Sequence, residues 1–292
     1  MRLHEGYVSY LGQKCGKNKT EQNEEIMDCC VDERDYRVLE NDRYTFFVLR
    51  RIIGGENRLL LTDHENLIIC YSAPPYPVWV WTPDRASEEV YEKAYALISD
   101  NGLLCDGQHF NVKNDLADYY IKRAAQDGIN ISLFMNMLAY DCPEPLKPEV
   151  KADGEIHLCT MDDLSELAAI MAQFADETGV DRKTKAEYRL DAEEYIASGK
   201  TYFWRNDSGK TVASCKYGPD GDLAAVNLVY TYPEYRRRHY AENLVYRVTE
   251  IAKEAGYMPM LYTDADYVAS NACYEKIGYE LRGELCTIAV TK

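Results

Sequence analysis

No apolar run in these 292 residues approaches the ~20 needed to cross a bilayer. Met1-Arg2-Leu3-His4-Glu5-Gly6 lacks an apolar core of signal-peptide length, so the expectation is a cytoplasmic protein without a membrane partner. Positive charge is scarce: 33 Lys and Arg stand against 49 Asp and Glu, a net charge of −16. Binding to a phosphate backbone needs a basic surface, which excludes nucleic acid as the principal partner. An acidic surface can attract cationic amines, and it also serves solubility alone. The ten cysteines have no disulfide-like rhythm, and Cys29-Cys30 is an adjacent pair rather than C-x-x-C, which fits a reducing compartment. His157 and Cys159 would share a strand face, but two further ligands are not evident, so no metal is expected. Tryptophan (3) and phenylalanine (6) are few, while tyrosine reaches 25 and apolar residues 46%, enough for a sizeable core. The length suits one large or two ordinary domains.

Punctuation divides the chain. Pro143, Pro145 and Pro148 fall within six residues, which precludes a helix and favours an extended linker. The expected organisation is an N-terminal domain at 1–142, a linker at 143–153 and a C-terminal domain at 154–292. The C-terminal part reads as a strand at 155–160, then a helix with Leu164, Leu167, Ala168, Met171 and Phe174 on one stripe. A second helix at Lys185–Ala197 follows, then strands at 201–204 and 211–217 around the Asn206-Asp207-Ser208-Gly209 turn. In the N-terminal part, residues 35–53 read as one helix and 57–61, 66–72, 76–81 and 103–105 as strands. A helix carries Val90, Tyr91, Ala94, Leu97 and Ile98, another Leu116, Tyr120 and Ala124, and a strand at 131–140 closes the series.

Residues 227–279 carry the chemistry. The strand Ala225-Val226-Asn227-Leu228-Val229-Tyr230-Thr231 runs into a turn holding Arg236, Arg237, Arg238, His239, Tyr240 and Ala241. A helix follows, with Ala241, Leu244, Val245, Val248, Ala252 and Ala255 at helical spacing and Gly256 at its end. Cations at a helix N-terminus oppose the helix dipole unless an anion joins them; with free N–H groups they make a phosphate site, against which stands a plain solvated turn. Met258-Pro259-Met260-Leu261-Tyr262-Thr263 reads as a buried strand, and Ser270 to Tyr279 as a short helix stopped by Gly278.

The strand, the Arg-x-x-(Gly)-x-Ala turn and the Ser-Asn-x-x-Tyr-x-Lys-x-Gly-Tyr segment, in this order, resemble the GNAT superfamily of acyl-CoA N-acyltransferases. Arg236 and Ala241 fit the ends of the family turn, but His239 stands where glycine is expected. Ala73-Pro74-Pro75-Tyr76-Pro77 resembles, more weakly, the N-terminal half of predicted bacterial acetyltransferases that carry a GNAT-like domain ahead of the catalytic one. The resemblance implies an α/β (α+β) fold of two tandem GNAT-like domains, each a mixed, mostly antiparallel sheet flanked by helices, the first degenerate. The equivalent turn there, residues 82–89, opens its helix with acids under a Ser87 or Asp84 cap, so no acyl-CoA is expected in that half.

The resemblance also implies a reaction and its residues. Acetyl-CoA would lie along the strand, against the backbone of Leu228, Val229 and Tyr230, with its pyrophosphate on Arg236, Arg237, Arg238, His239, Tyr240 and Ala241. Asn271 would meet the pantetheine arm, and Tyr274 would protonate the departing thiolate. The acceptor would be a primary amine of a small-molecule or amino-acid-like compound, attacking directly in a ternary complex; a homodimer is left open. The general base is not identified: the strand offers Asn227 rather than a carboxylate, and Asp264 and Asp266 serve equally as loop caps. Two other readings stand beside this one: a GNAT-fold acyl-CoA-binding or regulatory protein with little turnover, and transfer of a longer acyl or aminoacyl group.

Overall fold

Strand alternation and helical spacing resolve into α1 (Glu33–Val38), α2 (Phe47–Ile52), β1 (Leu59–Thr62), β2 (Ile68–Tyr71), β3 (Val78–Trp81), α3 (Glu88–Asp100), β4 (His109–Val112), α4 (Asn114–Gln126) and β5 (Asn130–Asp141) in the first half. The second half adds β6 (Glu155–Leu158), α5 (Leu164–Thr178), α6 (Lys185–Ala197), β7 (Thr201–Arg205), β8 (Thr211–Asp220), β9 (Leu223–Thr231), α7 (Tyr240–Glu254), β10 (Met258–Asp264), α8 (Val268–Lys276) and β11 (Glu280–Thr291). The computed structural model describes residues 27–179 and 182–291; the reading of Met1 to Gly6 and the start of the first domain lie outside them. No helix of the described residues is long and apolar enough to cross a membrane.

The eleven strands form one continuous sheet, in the order β1-β2-β3-β4-β11-β5-β10-β9-β8-β7-β6. The expected two sheets are therefore joined, and the join is an exchange. β5, the last strand of the first half, lies beside β10 of the second, and β11, the last strand of the chain, lies beside β4 of the first. β5 and β11 then pair with each other along nearly their whole length, Glu280 opposite Asp141 and Thr291 opposite Asn130. The Arg282 guanidinium donates to Asp141 across this seam at 2.7 Å. Both parallel contacts in the sheet are crossed by a helix: β3 reaches β4 through α3, and β9 reaches β10 through α7.

Three local readings change. Residues 35–53 form two short helices rather than one, and Asp35 is drawn under the first turn of α1. Its carboxylate accepts from the Asp32 amide at 2.8 Å and from Thr62 Oγ1 at 2.5 Å, and meets His64 Nδ1 at 2.8 Å. The strand expected at 103–105 lies instead at His109–Val112, where it pairs with β3 and β11. The proline-rich stretch is extended but not free: the Leu146 amide donates to Ile277 O at 2.9 Å, Asn243 Nδ2 to Val150 O at 2.9 Å, and the Tyr240 hydroxyl to Asp153 Oδ1 at 2.5 Å. Gly278, at φ 96°, lets Glu144 O pass where a Cβ would stand only 2.2 Å away. Ser87 caps α3 as read, its hydroxyl accepting from the Val90 amide.

Two layers of helix bury the second half of the sheet. α7 covers one face, with Leu244, Val245 and Val248 against Ala213, Cys215 and Val226. α5 and α6 cover the other, with Leu167, Ile170 and Ala192 around Phe203, Leu228 and Tyr230.

Candidate active site

The sheet opens where its two parallel strands part. β9 and β10 pair at Leu223–Met258, Ala224–Pro259 and Ala225–Met260, and no described residue continues that ladder. Beyond it β10 follows β5, from Met260 opposite Asp141 to Asp264 opposite Met137, while β9 follows β8. The β10-facing edge of β9 from Val226 onward therefore lacks a strand partner.

A bulge lies at the mouth of this opening. The β8–β9 register slips between Ser214, opposite Tyr230, and Lys216, opposite Asn227, which leaves Leu228 and Val229 against Cys215 alone. Leu228 takes φ 53°, and its carbonyl accepts from the Ser214 hydroxyl at 2.9 Å. The extra residue exchanges the faces of the strand: Val226 belongs to the α7 side, and Leu228 and Tyr230 to the α5–α6 side. The Tyr230 hydroxyl donates to Gln173 Oε1 at 2.9 Å.

β9 leads through a short 3-10 turn, Pro233–Tyr235, into the arginine loop and α7. Arg237 (φ 61°) and His239 (φ 62°) are both left-handed. His239 thus occupies the conformation that glycine adopts freely, and its backbone is not helical. Its ring turns to the first turn of α7, Nδ1 lying 3.1 Å from Glu242 Oε2. Arg236 is engaged elsewhere: its guanidinium donates to both Glu177 oxygens, at 2.8 and 2.6 Å, and to Thr231 O at 3.0 Å. Arg237 is exposed without an ion-pair partner among the described residues, and Arg238 lies over the Tyr235 ring at 5.7 Å. Beside this loop is an open cavity of about 470 Å³, lined by Gln173, Glu177, Tyr230, Tyr232 and Glu234 among others.

α8 closes the other side. Tyr274 is buried in the α7 core layer, its ring 5.9 Å from that of Tyr279. Burial pushes its phenol well above the usual range, and the Cys273 and Cys215 thiols add to this. It keeps its proton, and no described group accepts from its hydroxyl by hydrogen bond. Asn271 does not reach out: its Oδ1 accepts from Thr263 Oγ1 at 2.9 Å, and its Nδ2 donates to Asp264 O and Ala265 O at 3.1 and 3.2 Å. It holds the loop between β10 and α8. His157 is likewise occupied, meeting Asp163 Oδ2 at 2.9 Å.

The structure thus sets Leu228, Val229 and Tyr230 at the opening, with Arg237 to Ala241 beyond the end of the same strand, and holds Tyr274 in the core on the α7 side. Glu177, Gln173 and Lys216 were not singled out from sequence. Glu177 reaches Arg236 from 59 residues away, and no local pattern encodes that. Glu242, three residues after His239, does have the spacing of a capping pair.

A sheet opened at two parallel strands, a bulge at its mouth and a helix N-terminus at the end of one strand are together the GNAT arrangement of an acyltransferase fold. Residues 167–279 match the family described as "Acetyltransferase (GNAT) family". Solved structures agree in fold. A GNAT-family acetyltransferase from Colwellia psychrerythraea aligns over 91% of this chain and 100% of its own, with TM-score 0.56 and 11% identity. A GCN5-related N-acetyltransferase from Sphaerobacter thermophilus covers 82% of this chain and 81% of its own, with TM-score 0.59 and 14% identity. A GCN5-related N-acetyltransferase from Kribbella flavida covers 88% and 96%, with TM-score 0.52 and 14% identity. No curated protein matches the chain.

Proposed function

We propose that the protein transfers an acetyl group from acetyl-CoA to a primary amine of a small-molecule or amino-acid-like acceptor, by direct attack in a ternary complex. The carrying observation is the parting of β9 from β10 just before the Leu228 bulge. A strand edge without a partner can pair with the amides of a pantetheine arm, and backbone N–H groups at the bulge can hold the oxyanion. The pyrophosphate then falls at the N-terminus of α7, where Arg237 and Arg238 meet it. The amine nitrogen attacks the thioester carbonyl, the C–S bond breaks and the nitrogen releases a proton to solvent. Tyr274 supplies the proton that the departing sulfur takes up and is reprotonated from solvent.

The two halves are best read as tandem GNAT-like units, 1–142 and 154–292, joined by 143–153 and sharing one sheet through their exchanged last strands. We expect no cofactor at the corresponding turn of the first. Lys113, at the end of β4, donates to Asp42 Oδ2 at 2.7 Å and Asp84 Oδ1 at 2.5 Å, and Trp81 Nε1 donates to the same Asp42 oxygen at 2.7 Å. This side-chain network ties together the ends of β3 and β4. The setting we infer is cytoplasmic, with neither nucleic acid nor membrane as partner. The test is thiol release from acetyl-CoA across a panel of amines: turnover with at least one supports the reading, and acetyl-CoA binding without turnover assigns a binding protein instead.

A further inference from the structure

Lys216 stands directly opposite Asn227 in the β8–β9 ladder, one position before the bulge. Cross-strand partners share a face, so both point to the α5–α6 side of the opening, away from α7. Asn227 is exposed there in mid-strand. Lys216 is half-buried, its Nζ lying 3.7 Å from the centroid of the Tyr195 ring of α6. α2, from the first half of the chain, reaches the same side of the sheet. Phe47 packs against Leu223 and Met260 at the closed end of the parting. One turn further on, the exposed Arg51 lays its guanidinium 5.6 Å from the Phe47 ring.

Neither cation has a carboxylate partner among the described residues, although acids outnumber bases in this chain, 49 to 33. Burial, with a further push from Arg51, lowers the Lys216 ammonium to about 8. Two unpaired cations on one side of the sheet repel each other and stay partly desolvated, and an anion entering between them relieves both costs. Lys216 lies one residue from the bulge, so the anion and the reacting amine can be only a few atoms apart. The planar fork of Arg51 matches a carboxylate.

We propose that the acceptor is an amine bearing a carboxylate at amino-acid spacing, which Lys216 and Arg51 hold on the α2–α6 side of the opening while its amino group faces the bulge. This rests on the acyltransferase reading above. It also gives the first half of the chain a role, since α2 supplies one of the two cations.

The experiment measures thiol release from acetyl-CoA by the full chain with α-amino acids, their carboxamides, O-phosphoethanolamine and 1,4-diaminobutane. The best amino acid should exceed its carboxamide in kcat/KM by at least tenfold. Lys216→Met and Arg51→Met should each cut that ratio by roughly tenfold or more, the loss of one charge-assisted contact, through KM rather than kcat. Lys216→Arg, which keeps the charge, should retain most of it. Arg51→Met, at an exposed position, carries the test should Lys216→Met not fold. Preference for the carboxamide or the diamine, or a ratio unmoved in the variants, overturns the inference and leaves acyl transfer standing. Preference for O-phosphoethanolamine overturns the carboxylate assignment. Release with none of the amines overturns acyl transfer and this inference together.

Discussion

The His239 imidazole lies 3.1 Å from the Glu242 carboxylate, folded onto the first turn of α7 while its own backbone is left-handed at φ 62°. A side chain at this glycine-type position therefore blocks the phosphate turn less than its bulk suggests. The left-handed conformation costs a non-glycine residue about 1–2 kcal/mol, which His239→Gly would recover against loss of the contact to Glu242. The expected outcome is a melting temperature equal to or above wild type and acetyl-CoA affinity equal or tighter. Calorimetry of both proteins between pH 5.5 and 8 checks it, and parallel affinity profiles are expected because the ring faces Glu242.

The arginines of the loop should divide in effect. Arg236 is bound to Glu177 and Thr231, whereas Arg237 is exposed and unpaired among the described residues. Arg237→Ala with Arg238→Ala should weaken acetyl-CoA binding at least tenfold, at roughly 1.5–3 kcal/mol per charge-assisted contact. Arg236→Ala should act more on the melting temperature than on affinity. Titration of each variant with acetyl-CoA separates the two.

Tyr274→Phe keeps the ring packed against Tyr279 and removes only the hydroxyl. Turnover should fall at least tenfold, within the roughly 10²–10⁴-fold that general acid catalysis supplies, with acetyl-CoA affinity little changed. Undiminished turnover would make Tyr274 a core residue. Asn271→Ala should behave differently: it releases the β10–α8 loop from three hydrogen bonds, so stability should drop by about 1–3 kcal/mol before affinity does.

Lys216 gives a pH signature. Its pKa falls from 10.5 to about 8 on folding, so the folded state binds the proton less tightly than the unfolded chain. The resulting penalty is fully present below about 8, shrinks as pH rises and vanishes above 10.5. Lys216→Met should therefore melt higher than wild type at pH 7, with the advantage narrowing by pH 10. Thermal melts at the two values test the sign.

What sequence made legible was local. The strand, turn, helix, strand and helix of residues 227–279 follow from apolar spacing within single elements, and the structure returns each within a few residues. Strand partners are a different matter. β5 and β11 alternate like any half-buried strands, so nothing in either says that each crosses to the other half. Asn271 shows the same gap at the site: its position fits the motif, but its side chain is taken by Thr263 and the carbonyls after it. Lys216 did leave a trace. Ala213, Cys215 and Tyr217 form the apolar side of β8, which sets a charged residue on a half-covered face; only the assembled structure adds Arg51 beside it.

The most direct test is a calorimetric titration of acetyl-CoA into the full chain. The account predicts one site per chain, weakened at least tenfold by joint replacement of Arg237 and Arg238 with alanine. No binding, two equivalent sites, or an affinity indifferent to those arginines would contradict it.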